Sequence, residues 1–541
     1  MSFLKGITPR GYLVMVLASF GALLFGFDNG WWGTVLGEQT FLCDYGGEVT
    51  VKGVTSCNLS TSQQSAGSGV QSAGVMIQPG QPVHLAFAAP CVGIIADLAR
   101  VIGCALAMYI NNIIGRKRTI VLTGLISIVG IVIEMTSAVG SHARFGQFVA
   151  GKVINSIAMG LAANVVPIYL SETSVSSARG FVINMYQSIQ IIGVIVAAGC
   201  VYAVSTRTDR SAYLIPMGVQ AIAPGLILLV TPLLVESPRW LVWVGRHEEA
   251  IKAANALFAT ETNGFDAADY CGKLAIAFEE EHKAEGGSGW ADVFRMPDLR
   301  RMLIAIGIQA LQQAQGSSYM NSYVVSFLQG TGVTNVFPVI MGLYSLYYVA
   351  VCTGYFLPDM FGRRPILIWT SVFCATTLII IAIITTAVTN PSEATQKASI
   401  ALIFLWEFSF GVQSPLIWIV TAESAPTRNR EKVLGMATFW GFGVSLLITF
   451  VAPYMQDAGY GNLGSKIGFI WGAFSIINIF YVFWFVPEMK GFSLEQLDYL
   501  FEHKVATRKF KGYHFDDDVL ATGTVEEATL EGGDKEKEAA V

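Results

Sequence analysis

The sequence predicts an all-α membrane protein of twelve transmembrane helices, arranged as two six-helix pseudo-repeats joined by a helical cytoplasmic linker. Three observations carry that prediction. Of 541 residues, 53% are hydrophobic and only 13% are charged, against roughly 25% charged in an average soluble domain. Apolar runs of about 20 residues, the length that crosses a bilayer as a helix, occur six times and, after a polar interruption, six times more. Three motif pairs also recur between the two sets at nearly one spacing.

Residues 1–11 precede the first apolar run, Tyr12–Leu36. No small-residue cleavage site follows that run, so it reads as a retained helix and not a signal peptide. Asp28 is its only charged residue. An ionisable group at that depth costs roughly 2.5–3.5 kcal/mol on insertion scales and faces a bundle interior or a water-filled cavity. Asp28 is therefore a functional-site candidate; the alternative is a purely structural hydrogen bond to a neighbouring helix. The following loop holds Cys43, Cys57 and the sequon Asn58-Leu59-Ser60. The sequon accepts a glycan only if the loop is extracytoplasmic. A disulfide between the two cysteines and two free thiols both stay open. Cys91, Cys104, Cys200, Cys271, Cys352 and Cys374 sit singly and read as packing residues.

Between Asn58 and Gly115 the chain is too long for one loop end and one helix. Residues 78–102 contain Pro79, Pro82, Pro90, Asp97 and Arg100, and their apolar core, Val83–Ala96, is too short to span. A thirteenth helix here would invert every later loop. The segment reads as an insertion into the second helix, and translated intron sequence is one origin that would account for it.

Thr119–Ala138, Phe145–Leu170, Phe181–Val204 and Ala212–Leu234 complete the first bundle, 12–234. Residues 235–301 are charged and helix-forming, as in Arg246-His247-Glu248-Glu249, and read as a cytoplasmic linker. Met302–Leu328, Phe337–Pro358, Ile366–Val388, Ala398–Val420, Val433–Met455 and Ile467–Val486 form the second bundle, 302–486. Residues 487–541 are an acidic tail expected to be cytoplasmic and largely disordered. Basic residues gather in alternate loops, at Arg116-Lys117-Arg118, Arg179, the linker, Arg363-Arg364 and Arg428 to Lys432. The positive-inside rule makes those loops and both termini cytoplasmic, and the Asn58 sequon external.

The motif pairs are Gly115-Arg116-Lys117-Arg118 with Gly362-Arg363-Arg364-Pro365, Glu172 and Arg179 with Glu423 and Arg430, and Glu236 with Glu488. A duplicated six-helix unit of this kind places a substrate site between two halves near the midplane. No nucleophile, base and orienting residue occur together, so the chain does not read as an enzyme. Six scattered histidines show no ligand spacing, giving no support for a metal, and no cofactor is implied.

The ordered set Phe27-Asp28, Gly115-Arg116-Lys117-Arg118, Pro167 to Glu172 with Arg179-Gly180, Glu236-Ser237-Pro238-Arg239-Trp240, Gln312-Gln313 with Gly316, Asp359 with Gly362-Arg363-Arg364, and Pro487-Glu488-Met489-Lys490-Gly491 covers nearly the whole chain outside the tail. In this set the sequence resembles the sugar porter family of the major facilitator superfamily, and within it the fungal proton-coupled sugar transporters. The resemblance implies a gating set of Arg116, Arg118, Glu172, Arg179, Glu236, Arg239, Asp359, Arg363, Arg364, Glu423, Arg430 and Glu488, in which guanidinium groups bind carboxylates at helix ends. Asn112 stands where the family usually has an aspartate, so the inner lock is expected to be asymmetric. It further implies sugar contacts from Gln187, Gln312, Gln313, Ser318, Tyr323 and Trp418, with Gln190, Tyr319, Asn321 and Pro415 as weaker choices. Proton coupling falls to Asp28 and Lys152, lysine standing where arginine is more usual.

The implied partners are a small neutral sugar, a proton and the lipid bilayer, with no nucleic acid and no obligate protein partner, in a multi-pass location at the plasma membrane. The rival readings are a facilitated uniporter, a disaccharide transporter and a non-transporting sugar sensor.

Overall fold

The computed structural model describes residues 8–51, 54–65, 110–140, 143–174, 179–259, 265–285, 293–330, 333, 335–388, 392–426, 429–457, 460–492, 494–511 and 513. Among them, ten helices are long and apolar enough to cross a membrane. They are the first span Pro9–Val35, third Arg116–Thr136, fourth Phe145–Thr173, fifth Met185–Val204, sixth Ser211–Leu233, eighth Val336–Thr353, ninth Arg363–Ala387, tenth Glu393–Ser424, eleventh Lys432–Gln456 and twelfth Gly464–Phe485. The seventh is present but broken into Asp298–Gln312, a π-helical turn Gln313–Ser317, and Ser318–Gly330. The second span and the proposed insertion at 78–102 lie outside the described residues. Among the described residues, five of these spans precede the linker helices and six follow them.

Local chemistry sets the helix starts. Thr8 accepts a hydrogen bond from the Gly11 amide, with Pro9 at the first position, and Ser392 does the same for Thr395, each satisfying an otherwise orphaned donor. The third and ninth spans both start from a glycine in the left-handed region, Gly115 with φ 92° and Gly362 with φ 89°, where a side chain would be strained. That shared geometry is the duplication written in the backbone.

Within the first half the third span packs on the fourth and the first on the fifth; in the second the ninth packs on the tenth and twelfth, and the seventh on the eleventh. The halves meet where the fifth span lies on the eighth and the first on Ser318–Gly330. At the end opposite the arginine turns the join is close. A Cβ on Gly33 would fall 2.3 Å from the Asn321 carbonyl oxygen, Thr61 Oγ1 donates to Asp457 at 2.5 Å, and Ser65 Oγ donates to the Phe450 carbonyl at 3.1 Å. The fourth and tenth spans, which end in Glu172 and Glu423 at the arginine-turn end, do not pack along one another among the described residues.

Two regions outside the spans are structured. The first loop forms the hairpin β1 (Gly47–Val51) and β2 (Val54–Asn58), with Glu48 opposite Cys57. A disulfide joins Cys43 to Cys57, which resolves the alternative left open by the sequence. The sequon residue Asn58 ends β2; its side chain lies outside the description. The linker helices Pro238–Trp243, His247–Phe258 and Ala267–Glu285 share a buried apolar cluster with the first half, and Thr8 Oγ1 donates to the Leu257 carbonyl at 2.7 Å.

Part of the tail expected to be largely disordered is helical. Helix Leu494–Glu502 buries Leu497, Leu500 and Phe501, with Phe510, against Val482, Val486 and Met489. Arg301, 1% exposed, ties it down by binding Asp498 and the Ser424 and Ala425 carbonyls. Residues from 514 onward are outside the description.

Candidate functional site

The first span carries glycine at 21, 26, 30 and 33, and one of these sets its depth. A Cβ on Gly26 would lie 1.8 Å from the Gln190 carbonyl oxygen, and one on Gly193 would lie 2.7 Å from the Leu23 carbonyl oxygen. The first and fifth helices therefore touch backbone to backbone, drawing Asp28 wholly inside the bundle. Asp28 Oδ1 accepts from Lys152 Nζ at 3.1 Å, Asn155 Nδ2 at 3.1 Å and Gln220 Nε2 at 2.8 Å. Ser127 Oγ donates to Asn155 Oδ1 at 2.7 Å, which orients that amide. Lys152 Nζ also sits 4.9 Å from the Trp31 ring centroid and 5.4 Å from that of Trp32. A fully buried ion pair survives only when extra hydrogen bonds offset its desolvation, and here two amides and two indole faces supply that support.

Sequence reasoning left out Asn155, Gln220 and a second acid, Glu134 of the third span, which is fully buried. Among the described residues neither carboxylate oxygen of Glu134 has a hydrogen-bond partner. Glu407 of the tenth span, 8% exposed, was also missed. It borders a cavity of about 20 Å³ with Ser317, Asn321, Tyr344, Tyr347 and Trp406, room for one water molecule. Both acids stand alone in apolar runs, the same signal that singled out Asp28.

At the arginine turns the two halves repeat each other. Arg116 binds Glu172 through Nε and Nη2, both at 3.0 Å, and Arg363 Nη2 binds Glu423 at 2.9 Å. Arg116 Nη1 donates to the Asn111 carbonyl and Arg363 Nη1 to the Pro358 carbonyl, both at 3.1 Å. The asymmetry expected at Asn112 is small: its Oδ1 lies 3.5 Å from Arg116 Nη1, whereas Asp359 Oδ1 lies 3.3 Å from Arg363 Nη1 and Asp359 is largely exposed. Glu236 and Glu488 take backbone amides instead. Glu236 accepts the amides of Arg116, Lys117 and Ser237 at 3.0–3.1 Å, and Glu488 accepts those of Arg363 and Arg364 at 3.0 and 3.2 Å. Each is a carboxylate seated on the amino end of a helix, where orphaned amides and the helix dipole favour it. Burial lifts the Glu236 carboxyl above its ordinary range, and the three amide bonds pull against that rise.

The remaining gating choices are scattered. Arg364 donates to the Phe483 carbonyl at 2.6 Å and its guanidinium lies 5.4 Å from the Phe483 ring centroid, Arg239 lies 5.2 Å from the Phe278 ring centroid, and Arg118 is exposed. The side chains of Arg179 and Arg430 lie outside the description. The Arg116 and Arg363 pairs each join helices of a single half.

The break in the seventh span gathers the amides. Gly316, with φ 104°, turns the chain so that Ser318 Oγ lies 2.7 Å from Gln313 Oε1 and 2.9 Å from Ser445 Oγ. Gln312 Nε2 lies 3.4 Å from Ser414 Oγ on the tenth span, and its Oε1 is buried with no hydrogen-bond partner among the described residues. Tyr323 and Tyr319 are committed to the eleventh span, donating at 2.8 Å to the Thr449 carbonyl and to Gln456 Oε1 respectively. Gln187 and Gln190 are half-buried on the fifth span, Pro415 is buried within the tenth, and Asn321 is exposed. Trp418 is 39% exposed.

A profile of the family described as "Sugar (and other) transporter" matches residues 14–501. The chain belongs to the sugar porter family of the major facilitator superfamily. Among curated relatives, it is 28% identical over 90% of its length and 87% of the other's to the major facilitator-type transporter ecdD of Aspergillus rugulosus. It is 26% identical to the hexose transporter HXT10 of Saccharomyces cerevisiae, with 76% of each chain covered. It is also 28% identical to the high glucose sensor RGT2 of the same yeast, over 78% of this chain and 56% of the sensor's length. Among solved structures, the inward open conformation of the xylose transporter XylE from E. coli superposes with a TM-score of 0.69 at 19% identity, covering 91% of this chain and 99% of that one.

Membership fixes the broad class of this sugar porter as a multi-pass membrane transporter family member. The amide and hydroxyl groups gathered by the seventh, tenth and eleventh spans, with indole and phenol rings around them, offer donors, acceptors and apolar faces together.

Proposed function

We propose that this protein carries a neutral sugar, a monosaccharide, inward across the plasma membrane together with a proton, by alternating access between the bundles 12–234 and 302–486. The observation that carries the reading is the pairing of Asp28 with Lys152 inside the first bundle, 3.1 Å apart and wholly buried. A nearby cation favours the charged carboxylate and burial opposes it, so a change in their separation loads and unloads a proton. Gln187, Gln312, Gln313, Ser318 and Trp418 are assigned to the sugar, and Tyr323 to holding the seventh span in register. Joined ends at Gly33, Thr61 and Ser65 and separated fourth and tenth spans support a state closed outside and parted at the cytoplasmic arginine turns. In that reading the Arg116 and Arg363 pairs hold each half rigid while the halves rock.

The test is uptake of labelled glucose, xylose, galactose and a disaccharide in a yeast lacking its own transporters, at pH 5 and 7.5, with and without protonophore. Accumulation that collapses with protonophore and in Asp28→Asn is the expected result. Equilibrating uptake indifferent to all three makes the protein a uniporter, and absence of uptake moves it to the sensor reading that the RGT2 likeness offers.

A further inference from the structure

We propose that Glu134 is a second proton-carrying residue: Asp28 and Glu134 hold one proton between them, and the Lys152 ammonium pairs with whichever carboxylate is bare. The inference rests on the proton-coupled reading above and extends it to a residue of the third span.

Its geometric basis is the contact between the third and fourth spans. A Cβ on Gly151 would fall 2.6 Å from the Glu134 amide nitrogen and 2.8 Å from Glu134 Cγ, and a Cβ on Gly130 would fall 2.7 Å from the Asn155 amide nitrogen and 2.8 Å from the Gly151 carbonyl oxygen. The two backbones touch through these glycines, which places Glu134 level with Lys152, one residue along from Gly151. Its side chain is fully buried, and among the described residues both of its oxygens lack hydrogen-bond partners. The titratable groups around it are Lys152 of the fourth span and Asp28 of the first, with the Tyr45 hydroxyl beyond, 2.5 Å from Ser137 Oγ. The sixth span contributes Gln220, uncharged, whose Oε1 is buried and has no hydrogen-bond partner among the described residues.

Charge counting gives Glu134 its role. Asp28 and Lys152 alone are neutral when both are ionised; adding an ionised Glu134 leaves one net negative charge in a dry interior, which burial strongly disfavours. One proton therefore restores neutrality, and it resides on Glu134 while Asp28 holds Lys152. That proton arrives from the external water onto a carboxylate oxygen and leaves to the cytoplasm, so the cluster alternates between charges of zero and minus one. With Glu134 neutralised the same cycle alternates between plus one and zero. Loading then has to create a buried positive charge and demands a higher proton concentration.

The experiment is the pH profile of labelled-sugar uptake for wild type, Glu134→Gln and Asp28→Asn, with sugar counterflow, which needs no proton gradient, reporting that each variant is folded and binds. Glu134→Gln is expected to keep counterflow while its half-maximal uptake moves at least one pH unit toward acid, a tenfold rise in the proton concentration required. A wild-type profile in Glu134→Gln, with Asp28→Asn uncoupled, overturns the role of Glu134 and leaves the symport reading standing. Full accumulation in Asp28→Asn overturns both. If Glu134→Gln loses counterflow through misfolding, Glu134→Asp keeps the acid but shortens its reach to Lys152, and it too must move the profile; an unmoved profile in that variant refutes the proposal.

Discussion

Removing one member of the Asp28 and Lys152 pair is predicted to harm the protein far more than removing both. Lys152→Met leaves the carboxylate fully buried without its cation, with the neutral amides of Asn155 and Gln220 still donating to it. Breaking a buried pair in this way costs about 3–5 kcal/mol, and lost contact with Trp31 and Trp32 adds roughly 0.5–2 kcal/mol. The double variant Asp28→Asn, Lys152→Met removes both charges, keeps an amide for Asn155 and Gln220 to meet, and sets a thioether against the indoles, a favourable contact. Its cost should fall below that of Lys152→Met alone, giving an interaction of at least about 2 kcal/mol in a double-mutant cycle. The assay is the fraction of monodisperse protein left after heating across a temperature series in detergent, for all four members. Lys152→Arg, which keeps the charge, should stay nearer the wild type than Lys152→Met. Additive losses, with the double variant as damaged as the two singles combined, would refute the claim that these groups are coupled in the fold.

Gly26→Ala should yield no monodisperse protein, since its Cβ would stand 1.8 Å from a backbone oxygen, whereas Gly218→Ala, whose nearest neighbour is the Met135 methyl at 3.5 Å, should purify as wild type. Arg116→Lys should lose most of what Arg116→Ala loses, about 1.5–3 kcal/mol for charge-assisted bonds, because a lysine cannot reproduce the two-point grip on Glu172; melting in detergent ranks the three. Glu236 supplies a pH test. Burial raises its folded-state value, so the folded protein holds that proton more tightly than the unfolded chain. The stability this gives is complete below the ordinary glutamate value of about 4.3 and is lost as pH rises through the folded value. The stability of wild type relative to Glu236→Gln should therefore fall as pH is raised from about 4.3, and a relative stability that climbs over that window would contradict the assignment.

Much of the fold was legible because its physical demands are local. A span must be apolar over its full length, a duplicated unit repeats its turns, and an acid inside an apolar run stands out, so Asp28 and the arginine turns could be found without coordinates. Lys152 came from the family likeness, and its position at 3.1 Å from Asp28 came only with the fold. Glu134 and Glu407 met the same rule as Asp28 and were passed over because each belongs to no recognised motif. The helix at Leu494 was readable too: Leu497, Leu500 and Phe501 fall at helical spacing, and the acidic residues beyond obscured them. The break at Gly316 was less legible, since a single glycine in an apolar run costs a helix only about 1 kcal/mol and does not announce a π-helical turn.

The sequence by itself determined the class of the protein, its two halves and the set of groups available, since composition, span length and motif order depend on residue identity alone. Only the tertiary structure decided which group each one meets. Glu172 and Glu236 are both conspicuous carboxylates near Arg116, yet one takes its guanidinium and the other the backbone amides beside it. The left-handed turn at Gly115 aims the free amides of the third span at Glu236 and sends the arginine side chain toward the fourth. In the same way Asp28 acquired Asn155, Gln220 and a neighbouring Glu134 because glycines at 26, 130, 151 and 193 let four helices close to backbone contact. Hydrogen bonds and ion pairs act over a few ångströms, and partners so far apart in the chain reach that range only when the bundle closes.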